Sequence, residues 1–159
     1  ELLINSRNKV SVVGFAMDEQ NLHKVLSADF VMVGSDGTAA APYGKLATGK
    51  PHPRYYGTFP RVLGKYARNE GVLSLSTAIK KMTSMPAQAL GIKDRGSIEV
   101  GKQADLVVFD PATVLDKATF ADPHQYPVGI ESVIVNGVLT IKDGEHTGAR
   151  AGQILRKQV

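Results

Sequence analysis

The chain contains no cysteine and no tryptophan. Without cysteine, these 159 residues can form no disulfide and offer no thiolate to a metal. That absence fits a reducing compartment, and a cytoplasmic location is the expectation. No apolar run approaches the roughly 18 residues that a membrane helix needs, so no membrane partner is expected. The start, Glu1-Leu2-Leu3-Ile4-Asn5, shows neither a basic segment nor a small-residue cleavage site, and no signal peptide is read there. It also lacks an initiator methionine, which fits processing or a chain that begins mid-protein. Sequence motifs are missing too. No GxGxxG, Walker loop, HxH or HExxH spacing occurs, so neither a phosphate cradle nor a self-contained zinc site is expected.

What is present is the composition of a globular domain: 43% hydrophobic and 21% charged residues, enough for a sizeable core. The net charge of +4 is not concentrated in a stripe. Basic residues stand beside acids, as in Lys93-Asp94-Arg95 and Lys142-Asp143-Gly144-Glu145. Nucleic-acid binding wants clustered basic residues with interleaved aromatics, so no nucleic-acid partner is expected.

Residues 9–15, KVSVVGF, form a β-branched run and read as a strand. Residues 18–28 read as a helix with Asp18 as N-cap and Leu22, Val25 and Leu26 on its apolar face. Residues 30–33 read as a second short buried strand, completing a βαβ unit with parallel strands. A long polar loop follows. Residues 59–69 then read as a helix with Val62, Leu63 and Tyr66 inward, ended by Gly71. Ser74 opens another helix with Leu75, Ile79 and Met82 facing in, and a short last helix around Pro86 stops at Gly91.

Near Gly96 the character changes. Residues 104–109, ADLVVF, read as a strand, residues 110–128 as irregular chain, and Asn136-Gly137 as the turn of a hairpin. The expected division is residues 1–95, α/β in character, and residues 96–159, antiparallel β.

Asp36 directly follows the strand expected at residues 30–33. In parallel α/β folds the C-terminal ends of strands carry the functional groups, because loops converge there. Ser35-Asp36-Gly37 has two readings from spacing alone: a turn former, or a carboxylate exposed for acid–base or metal chemistry. Ser35 and Gly37 leave room for close approach. His52-Pro53-Arg54 could hold a carboxylate, since arginine offers a two-pronged donor and proline stiffens its mount; the plain reading is an exposed basic loop. His23 reads as a surface or edge residue, and His124 and His146 as loop residues.

Two stretches carry a resemblance. PAQALGIKDRGSIEVGKQADLVVFDP, residues 86–111, resembles the segment where amidohydrolase-superfamily enzymes leave their barrel for a small β-sandwich. Residues 34–87, beginning GSDGTAAAPYGKLATGKPHPRYYGTFPRVLG, closely resemble N-acyl-D-amino-acid deacylases, the D-aminoacylases, as does the tail from Asp122 onward. A small departure is Ala151, where the family pattern has proline.

The resemblance implies an α/β fold: the last strands and helices of a (β/α)8 TIM-type barrel, then part of an antiparallel β-sandwich. It implies zinc-dependent hydrolysis of N-acyl-D-amino acids, with Asp36 taking a proton from the metal-bound water and handing it to the leaving amine. Asp36 could also serve as a weak second-site zinc ligand. His52, Arg54, Ser35 and Gly37 are the candidates for substrate binding. A complete barrel takes about 250 residues, so zinc ligands are expected upstream of this chain, and the isolated chain is expected to be inactive. The expected partners are the small-molecule substrate and either the missing N-terminal barrel portion or a second copy of the chain. Other readings are an amidohydrolase acting on cyclic amides, such as hydantoinase or dihydroorotase types, or a non-catalytic scaffold.

Overall fold

The computed structural model describes residues 1–7, 10, 14, 16–47 and 49–156. Helices come first and a small antiparallel sheet follows, so the chain is α/β. A single helical turn, α1 (Leu2–Asn5), leaves Leu2, Leu3 and Ile4 exposed. Helix α2 (Glu19–Ser27) begins where the Asp18 carboxylate accepts the Gln20 amide at 2.7 Å, the N-cap expected of that residue. Its Leu26 is buried and Leu22 packs on the core, but Val25 is 51% exposed rather than inward.

The strand expected over residues 9–15 falls largely outside the described residues. The strand expected over residues 30–33 is not formed: the chain there joins no ladder. A strand is defined by its neighbours, and none lies beside this segment among the described residues. The parallel βαβ unit is therefore absent from the described residues. The segment binds a helix instead, with the Val33 amide donating to the Lys81 carbonyl at 3.1 Å.

Helix α3 (Arg54–Arg61) starts before the expected position and runs on through Val62–Asn69 in a wider, π-type register. Its first turns carry Gly57 and Pro60, both of low helix propensity. Pro60 gives no amide to the preceding turn, and the register widens just beyond it. Val62, Leu63 and Tyr66 are buried as expected, and Gly71, at φ 63°, carries the chain away.

Helix α4 (Leu75–Met82) is capped by Ser74, whose hydroxyl accepts the Thr77 amide at 3.1 Å. Its buried face is Ala78 and Lys81; Leu75 and Ile79, expected inward, are 36% and 38% exposed. Lys81 explains the rotation. Its ammonium donates to the carbonyls of Ala28 and Val31, the first at the C-cap of α2 where a cation suits the helix dipole. Helix α5 (Ser84–Leu90) holds Pro86 in its first turn and ends at Gly91 in the left-handed conformation.

The sheet is antiparallel in the order β1 (Leu106–Phe109), β2 (Ile130–Val135), β3 (Val138–Lys142), β4 (Glu145–His146). Asn136 and Gly137 take φ of 49° and 77°, both positive as a two-residue hairpin turn of the mirror-image type requires. Strand β4 has no signal in the sequence, and it places His146 opposite Ile141 on the sheet rather than in a loop.

Arg95, only 10% exposed, bonds both the Asp105 carboxylate and the Asn136 side chain. Burial pushes the Asp105 carboxyl up, but the Asn136 amide at 2.7 Å and the Arg95 guanidinium outweigh it and hold it below the ordinary 3.8. A carboxyl lowered on folding takes its proton more readily in the unfolded chain. Its contribution is complete above the unfolded value and is lost as the pH falls through the folded one. Stability is therefore expected to fall below about pH 4. Asp105→Asn should lower the urea midpoint at neutral pH and flatten that acid limb.

The core gathers Leu26, Val62, Leu63, Tyr66, Leu73, Ala78 and Val114, with Phe109 and Ile130 packed on it. It thus joins the helices to the sheet through the irregular segment after β1. Arg68 donates to the Val114 carbonyl at 2.8 Å, and Arg61 pairs with the nearly buried Asp116 at 2.9 Å. No helix among the described residues is long and apolar enough to cross a membrane.

Candidate active site

Asp36 stands on a stem fixed from one side. Lys81 receives the Val33 amide on its carbonyl and returns its ammonium to the Val31 carbonyl at 3.0 Å, so residues 31–33 are fastened to α4. The chain then turns. Asp36 itself is left-handed at φ 47°, a conformation aspartate tolerates better than most residues. Ser35 Oγ accepts the Gly37 amide at 3.3 Å, and a Cβ on Gly37 would lie 3.3 Å from Tyr55. The turn leaves the Asp36 side chain 90% exposed.

The loop returns at His52-Pro53-Arg54, where Pro53 opens α3. This brings Arg54 against Asp36 twice: Nε donates to the Asp36 carbonyl at 2.9 Å, and Nη2 lies 3.0 Å from Oδ2 of the carboxylate. His52 Nδ1 accepts the Arg54 backbone amide at 3.0 Å, and the ring meets Phe120 edge-on at 4.9 Å. Burial first, then the Arg54 charge, push its pKa below the ordinary 6.5, so His52 is neutral at pH 7. Sequence reasoning grouped Asp36, Ser35, Gly37, His52 and Arg54; the structure brings them together around the Asp36–Arg54 pair.

The outer support of that group was not foreseen. Lys50 Nζ donates to the Ala121 carbonyl at 2.8 Å. His124 Nε2 bonds the Gly49 carbonyl at 3.0 Å, which puts the proton on that nitrogen and leaves Nδ1 to accept the Tyr56 hydroxyl at 2.9 Å. Tyr56 also meets Tyr126 edge-on at 5.8 Å, and burial raises its hydroxyl pKa. His124, in irregular chain as expected, is therefore a pin between the site loop and the chain after β1. Separations of 68 and 75 residues carry no local signal that could have shown it.

Metal-type donors converge elsewhere. Among the described residues, Glu19, His23 and Glu70 form the one group of three, their ligand atoms within 4.8 Å of one another. Lys65 already sits there, bonded to Glu19 and 3.7 Å from Glu70, while the Tyr66 hydroxyl donates to Glu19 at 3.0 Å. Their negative charge is answered by that ammonium. His23, at 2.9 Å from Glu70, is the half-buried edge residue expected of it. No group of three such donors includes Asp36 among the described residues.

Comparison with known proteins places these features in context. A family model described as the amidohydrolase family matches residues 24–141. A D-aminoacylase of Alcaligenes xylosoxydans xylosoxydans is 46% identical over 143 residues, which is 90% of this chain and 28% of that protein. An N-acyl-D-aspartate deacylase of the same organism is 46% identical over 142 residues, 89% of this chain and 27% of the relative. The solved structure of N-acyl-D-glutamate deacylase from Bordetella bronchiseptica, complexed with zinc and a phosphonate mimic of the tetrahedral intermediate, superposes with a TM-score of 0.78. It is 41% identical and covers 89% of this chain and 28% of its own. The chain thus spans a little over a quarter of the length of these relatives. It belongs to the amidohydrolase family.

Proposed function

We propose that this chain is the C-terminal part of a zinc-dependent N-acyl-D-amino-acid deacylase. On this reading residues 1–95 hold the last strands and helices of a (β/α)8 barrel, and residues 96–159 the end of a β-sandwich. The complete protein hydrolyses the amide of an N-acyl-D-amino acid to a carboxylate and a free D-amino acid. The observation that carries the reading is the exposed Asp36 carboxylate at the end of a fastened stem, with Arg54 beside it.

Zinc, when bound, would polarise the acyl carbonyl and acidify the attacking water. The residues present do not fit it as ligands: none of the described donor groups surrounds Asp36, and the chain has no cysteine. Its ligands belong to sequence outside this chain. This chain's own part is proton transfer and orientation. Asp36 accepts the proton of the attacking water and returns it to the leaving nitrogen. Arg54 offers its donors to the substrate carboxylate, neutral His52 forms a wall beside it, and Ser35 and Gly37 keep the approach open. Phe30 and Met32, 84% and 41% exposed, flank the stem and would be covered by the rest of the barrel or by self-association.

The test is side-by-side turnover by the complete, zinc-loaded protein of N-acyl-D-amino acids, their L-enantiomers and a hydantoin. The D-compounds are expected to react in preference. Preference for the hydantoin would assign cyclic-amide hydrolysis instead, and no turnover of any would leave a scaffold.

A further inference from the structure

The two contacts between Arg54 and Asp36 differ in kind. The bond from Nε to the backbone carbonyl survives any rotation of the Asp36 side chain and keeps the arginine in place. The contact from Nη2 to the carboxylate is exchangeable. It is solvent-exposed, engages one oxygen at 3.0 Å, and the carboxylate meets no other polar partner among the described residues. Exposed pairs of this kind are weak. A second carboxylate presenting both oxygens to the Nη1–Nη2 edge, in place of the single Nη2 contact to Asp36, makes the stronger, two-bond contact and repels Asp36 from the shared cation.

We propose that Arg54 couples recognition to chemistry: at rest it holds the Asp36 carboxylate, and the substrate's own carboxylate takes its place and frees Asp36 to reach the reacting water. The proposal rests on the deacylase reading above. It makes the substrate carboxylate a requirement in kcat as well as in binding. An acyl compound without that group meets a base that is still held. The neutral His52 beside the arginine adds no competing charge.

The test compares an N-acyl-D-amino acid with the matching N-acyl-D-amino alcohol in the complete, zinc-loaded protein. Wild-type protein should turn over the alcohol slowly, and added acetate should activate that reaction saturably, by about two- to sixfold for a pair of ordinary surface strength. Arg54→Met should hydrolyse the alcohol faster than wild type, show no acetate activation, and lose kcat/KM on the acid. A purely binding role for Arg54 predicts the opposite pattern: no acetate activation, and alcohol turnover unchanged or lower in the variant. That result overturns the proposal. A readout independent of turnover is NMR of protein labelled at Asp carboxyls and Arg side chains. The Asp36 and Arg54 signals should shift together as acetate is added, and movement of Arg54 alone also overturns it. Failure of wild type to hydrolyse any N-acyl-D-amino acid would remove the deacylase reading, while the NMR result would still decide whether Arg54 exchanges carboxylates.

Discussion

Asp36→Asn is expected to lower kcat of the complete protein by about 10²- to 10⁴-fold, the contribution of a positioned acid–base group, with zinc content unchanged. The substitution is chosen for what it preserves. Asp36 sits at φ 47°, and asparagine is the other residue that accepts this left-handed geometry readily. The turn, the Ser35–Gly37 bond and the Arg54 bond to the backbone carbonyl should all remain. Asparagine can still accept from Nη2, but it cannot take a proton from water. A mutant that keeps the fold and the metal yet loses turnover separates the two readings that the sequence leaves open, turn former and base. Substantial residual kcat would show that Asp36 only shapes the turn. Steady-state kinetics, metal analysis and circular dichroism on the same preparation decide it.

Local chemistry was legible wherever one residue type dictates one geometry. Asp18 and Ser74 cap helices as their side chains allow, Gly91 ends one, and Asn136-Gly137 turns the hairpin. The grouping of Asp36, His52 and Arg54 came from the resemblance and not from local spacing; a long loop separates them, and the Arg54 contacts to Asp36 close it. Features set by distant partners were not legible. Residues 30–33 are apolar enough for a strand, but only a neighbour can make a ladder. Helical spacing marks a stripe on α4 without saying which way it faces; the reach of Lys81 to two carbonyls settles that. His124 and Tyr56 meet because the core brings the segment after β1 against α3, which no window of sequence contains.

That junction is where the largest loss of stability is expected. Gly129→Ala should cost about 3 kcal/mol, combining a left-handed backbone without glycine with overpacking that cannot relax. Gly129 has φ 77°, and an added Cβ would lie 2.4 Å from Val114 N, 2.5 Å from Val114 Cα and 2.8 Å from Thr113 C. Backbone atoms cannot rotate out of the way. Val114 cannot retreat either, since it is wholly buried and its carbonyl would lie 2.3 Å from a Cβ on Gly64 in α3. Gly152→Ala, with open space and no positive φ, is the control and should stay within about 0.5 kcal/mol. Urea unfolding of both variants measures the difference, and equal midpoints would show that the close approach carries no energetic weight. The effect should reach the candidate site. The Leu115–Val128 bridge beside Gly129 closes the loop that presents Ala121 and His124 to Lys50, Gly49 and Tyr56. Loosening that bridge releases the outer support of that site while leaving the Asp36 stem on Lys81 intact. Gly129→Ala should therefore raise KM more than it lowers kcat, the reverse of what Asp36→Asn does.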